Sequence, residues 1–289
     1  PQSLKNGYHL VCAVLACLLY GFPGRRLRVI GVTGTNGKTT TTQFITRILM
    51  RAGKKVAMAS TINFQIGDRA WVNASKFTTL SPWKLQRFLR DAVNEGCEYA
   101  VVETSSHALD QNRVWGIPYE IAVMTNVTRE HLDYHETMER YREAKCRLFR
   151  LAKHSVVNLD MEDPQFFCAR EVSRTITYST KDPQAQLLAR GISLDFKGTE
   201  FVVDDTHFRL RIPGLFNIEN ALASLGVARL LQIDFSVASQ ALESITGVPG
   251  RMELVPNHMN ADILIDYAVT PDAFEKLYAS VLPLKIPGS

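Results

Sequence analysis

At 289 residues the chain can hold one large domain or two modest ones. A 46% hydrophobic and 21% charged composition is ordinary for a soluble globular protein, and a formal net charge of +4 is too small for the footprint of a nucleic-acid binder. The five cysteines, Cys12, Cys17, Cys97, Cys146 and Cys168, form no CxxC pair, and none has a histidine at finger spacing. Reduced thiols in a cytosolic protein explain them better than disulfides or zinc.

In chain order, the first feature is the apolar run His9 to Tyr20. It is too short to span a bilayer. Lys5 precedes it as in a signal peptide, but the turn Gly21–Phe22–Pro23–Gly24 follows where a small-x-small cleavage site would be needed. The run therefore reads as a buried helix leading into the first strand, and the chain carries no other long apolar stretch.

Leu27 to Val32 is a β-branched run, and Thr39 to Met50 has helical spacing through Phe44, Ile45, Ile48 and Leu49 up to Gly53. Lys55 to Ala59 is a second strand, followed by a polar, hairpin-like stretch from Thr61 to Asn73. Pro82 to Asn94 is predicted helical, with Ser81 as N-cap. Strands over Tyr99–Val102, Glu120–Met124 and Ser155–Asn158 bracket a charged helix over Met138–Leu151. Strands alternating with such helices predict an α/β fold, a doubly wound and mostly parallel sheet.

From Thr175 to Ile212 the pattern becomes short alternating stretches, Leu194–Phe196, Glu200–Val203 and His207–Ile212, which predict a small antiparallel sheet. Pro213–Gly214 closes it, and Asn217 to Leu231 is helical again. Gly247–Val248–Pro249–Gly250 reads as a hinge, followed by a strand at Asp262–Asp266 and a helix at Pro271–Leu282. The expected division is a leading helix and linker over 1–24, a central domain over 25–246, and a hinge with the start of a further domain over 247–289.

The segment with the clearest chemistry is GVTGTNGKTT, from Gly31 to Thr40, set between a strand and a helix. Gly34, Thr35, Asn36 and Gly37 can turn successive backbone N–H groups onto phosphate oxygens at the positive end of the helix dipole. Lys38 supplies a point charge for the outer phosphates, and Thr39, next to Thr40, a hydroxyl for Mg²⁺. The usual phosphate-loop pattern has a glycine where this chain has Val32.

GTNGKTT with this glycine spacing resembles the phosphate loop of the Mur ligase family and its relatives, folylpolyglutamate synthase and the ligase part of cyanophycin synthetase. Further motifs fall in the family's order. They are Thr78–Thr79, Glu103–Thr–Ser–Ser–His–Ala–Leu, the run TNVTREHLDYH from Thr125 to His135, Val248–Pro–Gly–Arg251–Met–Glu, and Asp266–Tyr–Ala–Val269–Thr–Pro. Within the family they are most similar to the muramyl-tripeptide synthetase branch.

The resemblance implies ATP-driven amide formation through an acyl phosphate, with ATP, Mg²⁺ and a UDP-MurNAc-dipeptide plus an amino acid as reactants, in a monomeric cytoplasmic enzyme. It matches Glu103 to a magnesium ligand, His131 to the histidine ligand of a second magnesium, Lys145 to a lysine carbamylated by CO₂, and Thr78, Thr79, Ser105 and Arg113 to contacts with the UDP-MurNAc peptide. It matches Asn220 to the adenine, Arg251 to the γ-phosphate side and Asp266 to the ribose. Read without it, Lys145 is one more exposed lysine on a charged helix, Asn217 a helix cap, and His107 and His135 pocket-lining or structural groups.

Two departures stand out. Phe77 and Val269 replace an asparagine and a histidine of the family pattern. The family also has an N-terminal uridine domain and a C-terminal amino-acid domain, so the expectation is a central domain with only the start of the last one, competent for ATP–Mg²⁺ binding rather than full ligation. The competing readings are a cyanophycin- or folate-type ligase and a non-catalytic nucleotide-binding module.

Overall fold

The computed structural model describes residues 2–75, 77–168, 172–195, 198–256, 258 and 263–282. The chain opens with α1 (Gln2–Tyr20), β1 (Arg28–Thr33), α2 (Lys38–Arg51), β2 (Val56–Ala59), β3 (Asn63–Ile66), β4 (Arg69–Val72), α3 (Pro82–Asn94) and β5 (Tyr99–Glu103). It continues through α4 (Ser106–Asp110), β6 (Tyr119–Met124), α5 (Leu132–His135), α6 (Met138–Arg150), β7 (Ala152–Asn158), α7 (Gln165–Cys168), β8 (Arg174–Ser179) and β9 (Leu187–Leu188). Then come β10 (Arg190–Asp195), β11 (Gly198–Val203), β12 (Thr206–Leu210), α8 (Leu215–Leu230), α9 (Phe235–Glu243), β13 (Glu253–Val255), β14 (Ile263–Ile265) and α10 (Pro271–Val281).

Nine strands form one sheet in the order β4-β3-β2-β5-β1-β6-β7-β8-β9, parallel from β2 to β9 and antiparallel through β3 and β4. The doubly wound α/β expectation therefore holds. From β1 the chain passes through α2 to β2 on one side, and from β6 through α6 to β7 on the other. The neighbouring carboxyl ends of β1 and β6 thus open a switch point, where sheets of this kind bind ligands.

Alternation along the strands divides the core between two faces. Ile30 and Val32 of β1 pack with Phe44, Ile45 and Leu49 of α2 and with α8, whereas Val29 joins Leu85 and Leu89 of α3 and Phe149 of α6. Each of these side chains is at most 1% exposed, a burial worth about 1.5–3 kcal/mol apiece.

Several local expectations shift. The antiparallel region begins at Arg190, with β10, β11 and β12 as a separate sheet, because β8 and β9 instead extend the parallel sheet. Tyr178 fixes β8 there by donating its hydroxyl to Met124 O at 3.0 Å. Phe196 and Asp262 lie outside the described residues. Ser81 occupies the N-cap of α3 without a side-chain cap bond. Gly214, not Asn217, is the N-cap of α8; Asn217 sits in its first turn and donates to Pro213 O at 2.7 Å. Beyond the 247–250 turn, β13 pairs antiparallel with β14, one strand more than expected.

Candidate functional site

The loop after β1 is shaped by two glycines. Gly34 has φ +153° and lies so close to Thr125 Oγ1 that any Cβ would overlap it. Gly37, the N-cap of α2, has φ +80°, and a Cβ there would overlap Asn220 Oδ1. Val32 needs no glycine because it is a fully buried residue inside β1.

Bonds to the loop after β6 hold the turn open. Thr35 N donates to Asn126 O and Asn36 N to Asn126 Oδ1, each at 2.9 Å, and Thr125 Oγ1 donates to Asn36 O at 2.6 Å. Lys38 Nζ crosses back to Gly34 O at 3.1 Å and Thr35 O at 2.7 Å. Burial lowers its pKa, and the Arg251 charge adds to this, against the opposing pull of Glu103 and Glu130.

Glu103 ends β5 and is 1% exposed. Its carboxylate accepts from Thr39 Oγ1 at 3.2 Å on both oxygens, and from Thr61 N at 2.8 Å and Thr61 Oγ1 at 2.9 Å. Behind it, Thr79 Oγ1 donates to Glu103 O at 3.0 Å and accepts from Ser105 N at 2.9 Å. Ser105 caps α4, and Arg113 Nη1 reaches Thr79 O at 3.2 Å. The buried Arg113 Nε has no partner among the described residues.

The opposite wall comes from the segment before α5 and from α6. His131 has φ +56° and stands just ahead of α5. Its ring lies 4.8 Å from that of His107, edge to face. Burial, with Lys38 and Lys145 nearby, lowers the His131 pKa despite Glu130. His107 and His135 are both lowered to about 4, mainly by burial, and His135 Nε2 pairs with Ser106 Oγ at 3.0 Å.

Lys145 corrects the reading of an exposed lysine: it is 1% exposed. Its ammonium lies 4.4 Å above the Tyr141 ring, whose hydroxyl is 3.1 Å from Thr35 Oγ1. Burial, reinforced by Lys38, drives its pKa well below the lysine norm, with Glu130 opposing. A buried amine of this kind gives up its proton more readily than an exposed lysine.

On the third side, Asn220 is 4% exposed and accepts from Thr41 Oγ1 at 3.2 Å. Arg251 Nη1 donates to Tyr267 O at 3.2 Å, and Asp266 Oδ2 accepts from Met252 N at 2.8 Å. Burial raises the Asp266 pKa.

A cavity of about 320 Å³ joins the loop from Thr35 to Thr40 with Thr78, Glu103, His131, Asn220, Arg251 and Asp266. Val269 also lines it, in place of the expected histidine. Gly34, Thr79, Ser105, Arg113 and Lys145 are not among its lining residues. Thr61, Asn126, Glu130 and Phe216 line it without having been singled out from the sequence. Asn126 and Glu130 stand inside the quoted TNVTREH run, whereas nothing in the sequence marked Thr61 or Phe216.

The donor set suits a nucleotide with magnesium: backbone N–H groups and a lysine for phosphate, and the adjacent Thr39 hydroxyl and Glu103 carboxylate for a cation. Among the described residues no three His, Cys, Asp or Glu side chains converge on a metal position. A cation here would complete its shell with phosphate oxygens and water, as Mg²⁺ characteristically does.

A phosphate-type loop at the switch point of a parallel sheet, faced by a strand-end carboxylate, is the architecture of a P-loop α/β protein. Residues 32–228 match the Mur ligase middle domain, and the chain belongs to the Mur ligase family. It is 42% identical over 308 residues to UDP-N-acetylmuramyl-tripeptide synthetase of Roseiflexus sp., covering 98% of this chain and 60% of that protein. It is 39% identical over 282 residues to UDP-N-acetylmuramoyl-L-alanyl-D-glutamate–2,6-diaminopimelate ligase of Geobacillus thermodenitrificans, covering 93% of this chain and 57% of that one. A solved structure of such a diaminopimelate ligase superposes with a TM-score of 0.75 at 32% identity, over 89% of this chain and 54% of that chain. The chain thus spans about 60% of the length of the curated relatives it matches. Among the described residues no helix is long and apolar enough to cross a membrane.

Proposed function

We propose that this chain is the ATP-using part of an amide-bond ligase of peptidoglycan precursor synthesis, one that adds the third, diamino residue to UDP-MurNAc-L-Ala-D-Glu in the cytoplasm. The observation that carries the reading is a spatial one: the phosphate loop, Glu103 and His131 share one cavity, and Thr79, Ser105 and Arg113 form a hydrogen-bonded group directly behind Glu103. The names of the relatives supply the substrate class.

In this reading the loop from Gly34 to Thr40 holds the ATP phosphates and Lys38 neutralises the charge that develops on the outer ones. Asn220 orients the base, Asp266 the ribose, and Arg251 the γ-phosphate side. Thr39 and Glu103 would hold one Mg²⁺ and His131 a second, and when bound these ions draw charge from the phosphoryl oxygens. Thr78, Thr79, Ser105 and Arg113 present the acceptor carboxylate, which takes the γ-phosphoryl group and releases ADP. The incoming amine then displaces phosphate from that acyl phosphate, losing its proton as the amide forms. Positioning and charge neutralisation do the work, with no protein nucleophile.

Lys145 is proposed to combine with CO₂, giving an N-carboxylate and one released proton, so that a cation becomes an oxygen donor toward the metal. Residues 25–246 form the ATP-binding unit, with 1–24 leading into it and 247–289 opening the next, and the unit acts as a monomer.

The test is calorimetry of the purified chain with Mg²⁺ and AMPPNP, then with UDP-MurNAc-L-Ala-D-Glu. Binding of both ligands, with the second lost in Arg113→Ala, is expected. Binding of the nucleotide but of no muramyl dipeptide would leave a nucleotide-binding module and remove the substrate assignment. For Lys145, a carbamate resonance in ¹³C spectra under ¹³CO₂ that vanishes in Lys145→Met is expected, and a spectrum identical in the two proteins would remove that role.

A further inference from the structure

Two helices beside the acceptor contacts are too short to hold their own orientation. α4 has five residues, begins after the Ser105 cap and leads into Arg113, whose backbone N donates to Ala108 O at 2.9 Å. α5 has four residues. Isolated helices of this length are unstable in water, so side-chain ties must fix them in place.

One carboxylate supplies those ties. Asp110 is the last residue of α4, its side chain is 18% exposed, and it meets three other helices. Its Oδ2 accepts from Asn6 Nδ2 of α1 at 3.1 Å and from the Tyr134 hydroxyl of α5 at 2.9 Å. Its Oδ1 lies 3.1 Å from Arg147 Nη2 of α6. Arg147 Nη1 also donates to Asp110 O at 2.8 Å, closing the carboxyl end of α4. The Tyr134 hydroxyl accepts in turn from Gln111 at 3.2 Å and from Gln2 of α1. The Tyr134 ring stands 4.2 Å from that of His107, the ring set edge to face against His131. None of Asn6, Asp110, Tyr134 and Arg147 lines the cavity, so Asp110 acts through other residues and not on a ligand.

We propose that Asp110 is a positioning residue: it sets the placement of α4 and α5, and with them Ser105, Arg113 and His107. Through Asn6 it makes that placement depend on α1, so the first helix of the chain is coupled to the acceptor wall. The inference rests on reading Ser105 and Arg113 as acceptor contacts. A carboxylate suits the task, because its two oxygens take three donors from three directions and its charge strengthens each bond.

The experiment has two readouts on the purified chain. Without ligand, the imidazole Cε1–H resonances of His107 and His131 in ¹H–¹³C spectra report the ring cluster. Asp110→Ala should displace both, and Asn6→Ala should displace them in the same direction by less. With AMPPNP–Mg²⁺ present, Asp110→Ala should lower the affinity for UDP-MurNAc-L-Ala-D-Glu by about tenfold or more and Asn6→Ala by about threefold, with nucleotide affinity within about twofold of the parent. The double variant should lose no more than Asp110→Ala alone, because both substitutions break the same tie. Asp110→Asn, which keeps one acceptor oxygen, should fall between parent and Asp110→Ala, and it carries the comparison if the alanine variant does not fold. Resonances unmoved by Asn6→Ala and Asp110→Asn would overturn the inference, as would additive losses in the double variant. A parent chain that binds no muramyl dipeptide would remove the acceptor reading, and displaced resonances would then still uphold the coupling of α1 to the ring cluster.

Discussion

Gly37→Ala tests the site through its backbone. Gly37 has φ +80° and ψ −10°, a left-handed conformation that costs an L residue about 1–2 kcal/mol. The added methyl group would also overlap Asn220 Oδ1, the acceptor of Thr41 Oγ1, while Asn220 Nδ2 donates to Asn217 Oδ1 at 3.2 Å. Displacing Asn220 endangers two buried hydrogen bonds worth about 1 kcal/mol each, so the total loss of stability should be about 2–4 kcal/mol. Because Asn36, Gly37 and Asn220 line the same cavity, nucleotide affinity should fall by tenfold or more, about 1.4 kcal/mol per decade. Urea unfolding reads the first quantity and calorimetry with AMPPNP–Mg²⁺ the second. Asn220→Ala in the same background should recover part of the stability by removing the clash, but none of the affinity. A Gly37→Ala protein within about 0.5 kcal/mol of the parent, binding the nucleotide unchanged, would refute the reasoning.

Three further outcomes follow from the same geometry. Lys38→Ala should abolish measurable AMPPNP binding while leaving the melting temperature within a few degrees, since among the described residues its ammonium bonds to two loop carbonyls, Gly34 O and Thr35 O. Because the folded-state pKa of His135 is about 4 against 6.5 unfolded, protons bind the unfolded chain first. Stability should then decline as pH falls from 6.5 towards 4, by no more than about 3 kcal/mol, and a melting-temperature series on His135→Gln should show a shallower decline. Lys145, whose folded pKa is likewise depressed, should make the protein more stable as pH rises through that value towards 10.5. Lys145→Met should flatten this rise, and an unchanged slope would mean that the amine is not desolvated.

What the sequence made legible was whatever local chemistry dictates. Helix α3 falls where proline at its first turn and an apolar stripe through Leu85, Phe88 and Leu89 place it. The phosphate loop was readable because the strained positions at Gly34 and Gly37 leave few residue types able to occupy them. By contrast, the sequence of β8 and β9 gives no sign that they leave the antiparallel region, because a two-residue strand and a strand with exposed Arg174 carry no signal of parallel pairing. Their place is set by β7 and by the long-range reach of Tyr178. Thr61 escaped notice for a similar reason: its two bonds to Glu103 span 42 residues of chain.

Lys145 shows the limit most clearly. On a helix written MERYREAKCRLFR, residue 145 follows Ala144 and precedes Cys146, and those three with Tyr141, Leu148 and Phe149 form the buried stripe. Helical spacing already puts 141, 145 and 148 on one face, so the periodicity pointed inward while the residue type pointed outward. Residue type is the better guide for most lysines because burying an ammonium is costly. Here the cost is reduced by the Tyr141 ring beneath the amine and by the Glu130 charge, both brought in by the fold. A lysine held against its own preference, beside a second lysine that depresses it further, is a conflict between local and global demands. Such conflicts concentrate at functional sites, so the position of Lys145 argues for a chemical role where its residue type alone argued for none.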